Sequence, residues 1–319
     1  MAQTVSRSVR YNYHHMNSEL HCTALADLGA LRIAGADAVR FLQGQLSNDL
    51  TRLAPERALL AGYHNPQGRT IALLRLVALA DGELLALLPR ELIAPVSQRL
   101  AKFVLRAKVS LADVSGTWRI GAVASRTDLE HGEPATVAPT QLPAPRTGAQ
   151  CRLGERLYLT VGEQPARWLE IAPGEPLAAE ETARQQWRLL DIRAGLAQVY
   201  AATSEQFVAQ MLNLDALDAI AFDKGCYTGQ EVIARAHYRG RVKRRAQRFR
   251  TRTALKLAPG DGGVLSDGRA FTVVEAARLP DGRSEFLAVA PLAQAEGAAA
   301  GEASVVDAEP LELPYALPQ

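Results

Sequence analysis

Two residues of this chain sit in a pattern suited to thiol chemistry. Cys226 follows Lys224 by two positions in the run Asp223-Lys224-Gly225-Cys226-Tyr227-Thr228-Gly229-Gln230-Glu231. The thiolate is the reactive form of cysteine, and a neighbouring cation or a helix N-terminus raises its fraction. The spacing of Val232, Ile233 and Ala236 predicts a helix, and the apolar run Ala219-Ile220-Ala221-Phe222 predicts a strand before it. A Lys-Gly turn between them would place Cys226 at or near the helix N-terminus, where free N–H groups favour an anion. Gly225 and Gly229 permit positive φ or close backbone approach. A second reading of the same residues stands beside this one: Cys226 as a small buried apolar residue and Lys224 as a surface cation.

Other elements must position that segment. Residues 28–50 read as a strand, a turn at Gly35 and a helix capped by Asp37, with Val39, Leu42 and Leu46 at helical spacing. Turn signals at Asn65-Pro66-Gln67-Gly68 and Ala80-Asp81-Gly82 divide 58–88 into a three-stranded meander. A helix is predicted over 90–106, strands at 107–112 and 117–124, and a proline-rich loop over 131–149. Short strands follow near 151–170. A helix over 179–194 carries Ala183, Trp187, Leu190 and Ala194 on one stripe and stops at Gly195. Beyond 241, short alternating runs such as FTVVEAARL, SEFLAVAPL, ASVVDA and LELPYAL predict a small β-barrel or sandwich, with GAAAGEA (297–303) as a loop between strands.

Composition bounds the rest. A chain of 319 residues is long enough for two or three domains. A formal charge of +2 excludes a protein that coats nucleic acid along its whole surface, so any such contact is local. There are 31 Arg against five Lys, which makes the lysine at 224 an informative choice. The apolar run 70–88 is broken by Arg75, Asp81 and Glu83, short of the ~20 clean residues of a membrane span. Residues 1–17 lack an apolar signal core and read as a mobile tail. Cys22, Cys151 and Cys226 are odd in number and widely spaced, which fits a cytoplasmic location and supplies neither a disulfide framework nor a permanently bound metal.

KGCYTGQE followed by ARAHYRG resembles the signature of the YgfZ family, folate-binding proteins linked to tRNA modification and related to the glycine-cleavage T-protein, an aminomethyltransferase. GADAVRFLQGQLSNDL, YHNPQGRTIALLRL and QMLNLDALDAIAF resemble further family segments in the same order, so the likeness covers most of 28–245. The resemblance implies an α+β fold, an aminomethyltransferase-like three-subdomain ring: two interleaved α+β subdomains over 1–240 and a C-terminal β-barrel over 241–319. It implies tetrahydrofolate or a related reduced folate bound in the central hole, and a role in assembly or repair of iron–sulfur client enzymes, including those that methylthiolate tRNA. Lys224 and Cys226 inherit the chemical role, with Gly225, Tyr227, Gly229, Gln230, Glu231 and Arg235 as motif support. Trp187 matches a pterin-lining tryptophan of similar proteins, although a Trp on an apolar helical stripe is ordinarily core.

The chain also departs from the family it resembles. Asp191-Ile192-Arg193-Ala194-Gly195 places Arg193 where T-proteins carry an acid that accepts from the pterin. Leu28 stands where some relatives have a second pocket aromatic. Asn65-Pro66-Gln67 replaces the catalytic aspartate loop, which argues against true aminomethyl transfer. Nine Arg or Lys and no acid lie between Arg235 and Arg252. They read as the solvated side of a strand entering the β domain, or as a contact for phosphate or a folate's glutamate tail. Three functions follow for test: a folate-dependent accessory protein with Cys226 as activated thiol, a folate-dependent one-carbon transferase or demethylase, and a tRNA-binding module.

Overall fold

A computed structural model describes residues 19–80, 82–178, 180–240, 242–292 and 304–318. The tail read at 1–17 and the loop read at 297–303 lie outside the described residues. In chain order, β1 (Leu20–Ala24) and β2 (Leu28–Ala34) precede α1 (Ala38–Gln43). The strands β3 (Leu59–His64), β4 (Thr70–Ala80) and β5 (Glu83–Pro89) form the expected antiparallel meander. After α2 (Arg90–Val104) come β6 (Ser110–Asp113), β7 (Trp118–Ser125), β8 (Glu133–Pro134), β9 (Gln150–Leu153), β10 (Arg156–Glu163) and β11 (Ala166–Pro173). The helices α3 (Glu181–Arg193) and α4 (Gln230–Tyr238) lead into β12 (Arg244–Thr251), β13 (Gly262–Leu265), β14 (Ala270–Arg278), β15 (Ser284–Pro291), β16 (Val305–Val306) and β17 (Ala308–Leu311).

These strands build three sheets, in the orders β8-β1-β7-β11-β10-β9, β3-β4-β5-β2-β6 and β16-β13-β14-β15-β12-β17. The third curls toward a barrel around Phe249, Phe271 and Phe286. The second is covered on both sides, and the two-residue period of a strand sorts its side chains. Leu31, Ile33, Leu84 and Ala86 enter one core, shared with Ala246 and Val289 of the third sheet. Their neighbours Ala30, Leu85 and Leu87 enter another, shared with Leu159, Leu169 and Trp187. By the same period Arg75 falls on the face of Val77 and Leu79, toward the first sheet and α3.

Four sequence readings change. Ala219-Ile220-Ala221-Phe222 is extended coil, not a strand. Ala219 and Ile220 are core, but the run meets no strand edge and is tied by Ala221 N donating to Ser47 O at 2.9 Å. A short apolar run looks the same in either setting. Asp37 occupies the N-cap position of α1 without capping it; its Oδ2 accepts from Lys108 N at 2.8 Å. Residues 131–149 are largely irregular, yet β8 pairs with β1, and Val137 and Leu142 pack with Tyr158 and Trp168. Of LELPYAL only Leu311 belongs to a strand.

The basic segment is corrected most. β12 is an interior strand, and acids of its neighbours answer its arginines. Arg245 is buried against Asp215 at 2.8 Å, Arg248 meets Glu285 at 2.9 Å, Arg250 pairs with Glu309, and Arg252 meets Asp307 at 3.4 Å. This part of the run is a paired seam, not a solvated face. Arg235, Arg239 and Lys243 are exposed, and none forms an ion pair among the described residues. Arg241 lies outside those residues.

Candidate functional site

The Lys224 ammonium is committed to backbone carbonyls. Its Nζ donates to the carbonyls of Gln43 and Leu46 at 2.7 Å each and of Asn48 at 2.9 Å, at and just beyond the C-terminal end of α1. Carbonyls at a helix end lack intrahelical donors and carry the negative end of the macrodipole. Three donors on an ammonium meet three converging acceptors, which leaves none for a thiol. Burial pushes Lys224 down to about 8, with Asp49 opposing, so it remains an ammonium at neutral pH. Its Nζ also lies 5.1 Å from the centre of the Tyr227 ring, whose phenol burial pushes up to about 12.

The helix begins at Gln230, with Gly229 as N-cap, so Cys226 precedes it by an irregular segment and is exposed. Its expected place at the helix N-terminus is therefore corrected: the left-handed turn at Gly229 (φ 81°) delays the helix. A Cβ on Gly229 would come 2.5 Å from Asn65 O and 3.0 Å from Gly68 Cα, so this glycine seats the motif on the Asn65–Gly68 turn. Gly225 has neither a positive φ nor an atom within 4 Å of a would-be Cβ. Gln230 Oε1 accepts from Tyr227 N at 3.3 Å, while Glu231 and Arg235 are exposed. Asn65 is structural: its Oδ1 accepts from Gln67 N and Arg69 N, and its Nδ2 donates to Glu205 at 2.8 Å.

Trp187 lies elsewhere, on α3, lining a narrow slot with Leu25, Leu28, Asp27, Asp191 and Glu275. Arg167 stacks over the Trp187 ring at 5.1 Å and donates to Asp191. Arg188 donates to Asp27 at 2.8 Å, and Tyr200 Oη donates to Glu275. Burial pushes Glu275 up to about 7 against the Tyr200 hydrogen bond, and burial with Glu275 as neighbour raises Tyr200 well above its ordinary value. The slot shares Arg75 and Val161 with a second cavity of about 640 Å³. That cavity is lined by residues of the first two sheets, Gly162 and Leu59 among them, and by the C-terminal segment at Tyr315.

Arg193 stays out of the slot, 3.1 Å from Glu285, and Asp191 supplies a carboxylate one helical half-turn earlier. Sequence reading missed Asp27, Arg188, Asp191, Tyr200 and Glu275. Arg75 entered it only as a charge interrupting an apolar run; a lone charge in a strand covered on both sides was the available signal. Among the described residues no group of three or more His, Cys, Asp or Glu converges as a metal site, and no helix is long and apolar enough to cross a membrane.

No protein-family model matches the chain. The tRNA-modifying protein YgfZ of Yersinia pseudotuberculosis is 33% identical over 270 residues, covering 81% of this chain and 81% of its own. The chain belongs to the YgfZ family. The tRNA-modifying protein YgfZ of Escherichia coli O127:H6 is 31% identical over 271 residues, covering 81% of this chain and 82% of the relative. The crystal structure of the glycine cleavage system aminomethyltransferase T from Bartonella henselae superposes with a TM-score of 0.63, at 13% identity, over 88% of this chain and 80% of that one. The YgfZ-family chain therefore has the aminomethyltransferase-like fold that its sequence resemblance implied.

Proposed function

We propose that this YgfZ-family chain is a folate-binding accessory protein that supports iron–sulfur enzyme assembly or repair and tRNA modification in the cytoplasm. The observation that carries the reading is the slot, about 50 Å³ by itself, together with the 640 Å³ cavity it joins; at this junction the Trp187 ring and Leu28 stand beside the carboxylates of Asp27 and Asp191. A pterin is a flat ring with an N–H edge, so it calls for an aromatic or apolar wall and carboxylate acceptors. Leu28 offers an apolar wall in place of a second aromatic, and Asp191 offers the acceptor that Arg193 does not. When bound, a reduced folate supplies a one-carbon carrier and an oxidisable ring. The chain's own residues orient it and exclude water. Two N-terminal α+β subdomains (1–240) and a C-terminal barrel (241–319) form the frame of this reading.

Cys226 is the thiol we assign to chemistry with clients, qualified by its exposure. Lys224 supports it indirectly, by holding the segment against α1. Three scattered cysteines fall short of the four thiolates that usually encase a cluster, so any cluster is shared with a client. Equilibrium binding of 5-formyltetrahydrofolate by wild type and Trp187→Ala tests the pocket. We expect micromolar or tighter binding, weakened at least tenfold by the substitution; no binding by wild type overturns the folate reading. In cells that rely on this chain, Cys226→Ala is expected to lower tRNA methylthiolation, and undiminished modification removes the cysteine from the proposal.

One observation favours a second reading, a folate-dependent one-carbon transferase or demethylase: Glu275 in the slot is tuned to about 7, where an acid/base works best. Against it stand the hydrogen bond that occupies Glu275 and the structural commitment of Asn65. Tetrahydrofolate-dependent turnover of an aminomethyl or N-methyl substrate, abolished by Glu275→Gln, would establish it.

A further inference from the structure

Arg75 is the one charged residue in the stretch Thr70–Val77 of β4, and it lines both the slot and the 640 Å³ cavity. Its guanidinium makes no hydrogen bond and no ion pair among the described residues, although it carries five donors. The opposite charge that acts on it is Asp191, and Asp191 already receives Arg167. Arg167 is fully buried, with Nε and Nη2 themselves unpartnered. Two guanidiniums thus share one carboxylate in the wall between slot and cavity. Burial lowers Arg75, Asp191 opposes that, and Arg167 adds to it. An arginine keeps its proton even so, and Arg75, half-buried, presents its unpartnered guanidinium to the space between slot and cavity.

The remaining charges of the larger cavity do not cancel this excess. Asp218 pairs outward with Arg52, Glu163 accepts from Thr147 N, and Arg57 forms no ion pair among the described residues. Of the arginines in and beside β12 that looked available from the sequence, Arg245, Arg248, Arg250 and Arg252 are spent on Asp215, Glu285, Glu309 and Asp307. A planar guanidinium meets a carboxylate through two parallel N–H···O bonds.

We infer that Arg75 is the anion-binding residue of the larger cavity and that it takes a carboxylate of the ligand, the glutamyl tail of a folate whose ring lies against the slot. This deepens the folate reading and rests on it for the source of the carboxylate. Arg57, more exposed on the same cavity, adds long-range attraction.

The test compares three probes: 5-formyltetrahydrofolate, 6-methyltetrahydropterin (a ring without the tail), and the dicarboxylate glutarate, with inorganic phosphate as its competitor. Binding is read by calorimetry on wild type, Arg75→Gln and Arg75→Lys. For the tailed folate, Arg75→Gln is expected to raise Kd by about 10- to 100-fold, the range for truncating one partner of a buried charge pair. The tail-less ring is expected to change less than twofold. Arg75→Lys recovers part of the loss, because an ammonium keeps the charge without the fork. Should Arg75→Gln not fold, Arg75→Lys carries the test, with a Kd about fivefold or more higher for the tailed folate alone. Equal losses for both folate probes, or none, overturn the inference and leave the folate reading standing. If wild type binds neither folate probe, the folate reading fails and the other ligands decide. Saturable glutarate binding lost in Arg75→Gln upholds the carboxylate site; absent glutarate binding, or phosphate bound in preference, overturns it.

Discussion

At Lys224 the choice of an ammonium has a geometric reason. Three carbonyls, of Gln43, Leu46 and Asn48, converge on one nitrogen within 2.9 Å, a demand that a planar guanidinium cannot meet in a chain otherwise rich in arginine. Lys224→Arg and Lys224→Met are expected to lower unfolding stability by about 2–4 kcal/mol, since each leaves charge-assisted bonds unmade at a buried helix end. Cys226→Ala is expected within about 0.5 kcal/mol of wild type, as for most exposed positions. Urea denaturation reads both, and a stable Lys224→Arg would show that the three carbonyls need no ammonium. The sequence singled out the right lysine but for the wrong contact: its partners lie some 180 residues away along the chain, beyond any local pattern.

His64 gives a pH dependence at the same scale. It is buried with neither ring nitrogen hydrogen-bonded, and burial pushes it down to about 3. The folded pKa lies below the unfolded value of about 6.5, so the histidine's contribution is full above pH 6.5 and is lost as pH falls toward 3. Between pH 7 and pH 5 the stability difference between wild type and His64→Leu is expected to shift by about 2 kcal/mol in favour of the variant. Taking the difference at each pH removes the opposing titration of Glu275, whose raised value acts in the reverse sense as pH rises toward 7. A difference constant across that range would mean that His64 takes up its proton alike in the folded and unfolded chains.

Among elements, the contact between the Asn65–Gly68 turn and α4 is the joint that brings two distant motifs together. Gly229→Ala must accommodate both a positive φ and a Cβ 2.5 Å from Asn65 O, and is expected to lose about 1–3 kcal/mol. Gly225→Ala, with open space around it, is expected to stay near wild type. Equal losses at the two positions would show that the close approach does not set the joint. Strands and helices were legible wherever periodicity was strong: the meander of β3–β5, α2 and α3 stand where the pattern placed them. The segment before Lys224 was not, because a run of four apolar residues fills a core equally well as strand or as coil.

For the whole molecule, the near-neutral charge conceals an arrangement rather than a patch. Arg245, Arg248 and Arg250 of β12 neutralise acids of the Asp215 loop, β15 and β17, which leaves Arg235, Arg239 and Lys243 as the exposed cations of that segment without an ion pair among the described residues. Should tRNA bind through these three cations, they support a slope of log K against log salt no steeper than about −3. Neutralising Arg235, Arg239 and Lys243 together is expected to flatten it, while a slope unchanged by the triple variant places the phosphate contacts elsewhere.

The amino-acid sequence by itself determined the family, the α+β class, the succession of most elements and the segment around Lys224, because periodicity and a long motif are properties of the chain alone. Tertiary structure decided what those residues touch. It turned Lys224 from a partner of Cys226 into the clamp of a helix end, paired the basic run, and assembled a slot from Asp27, Arg75, Trp187, Asp191, Tyr200 and Glu275. These residues are scattered over about 250 positions. Charge pairing and cavity walls depend on distance in space, and no spacing along the chain records it.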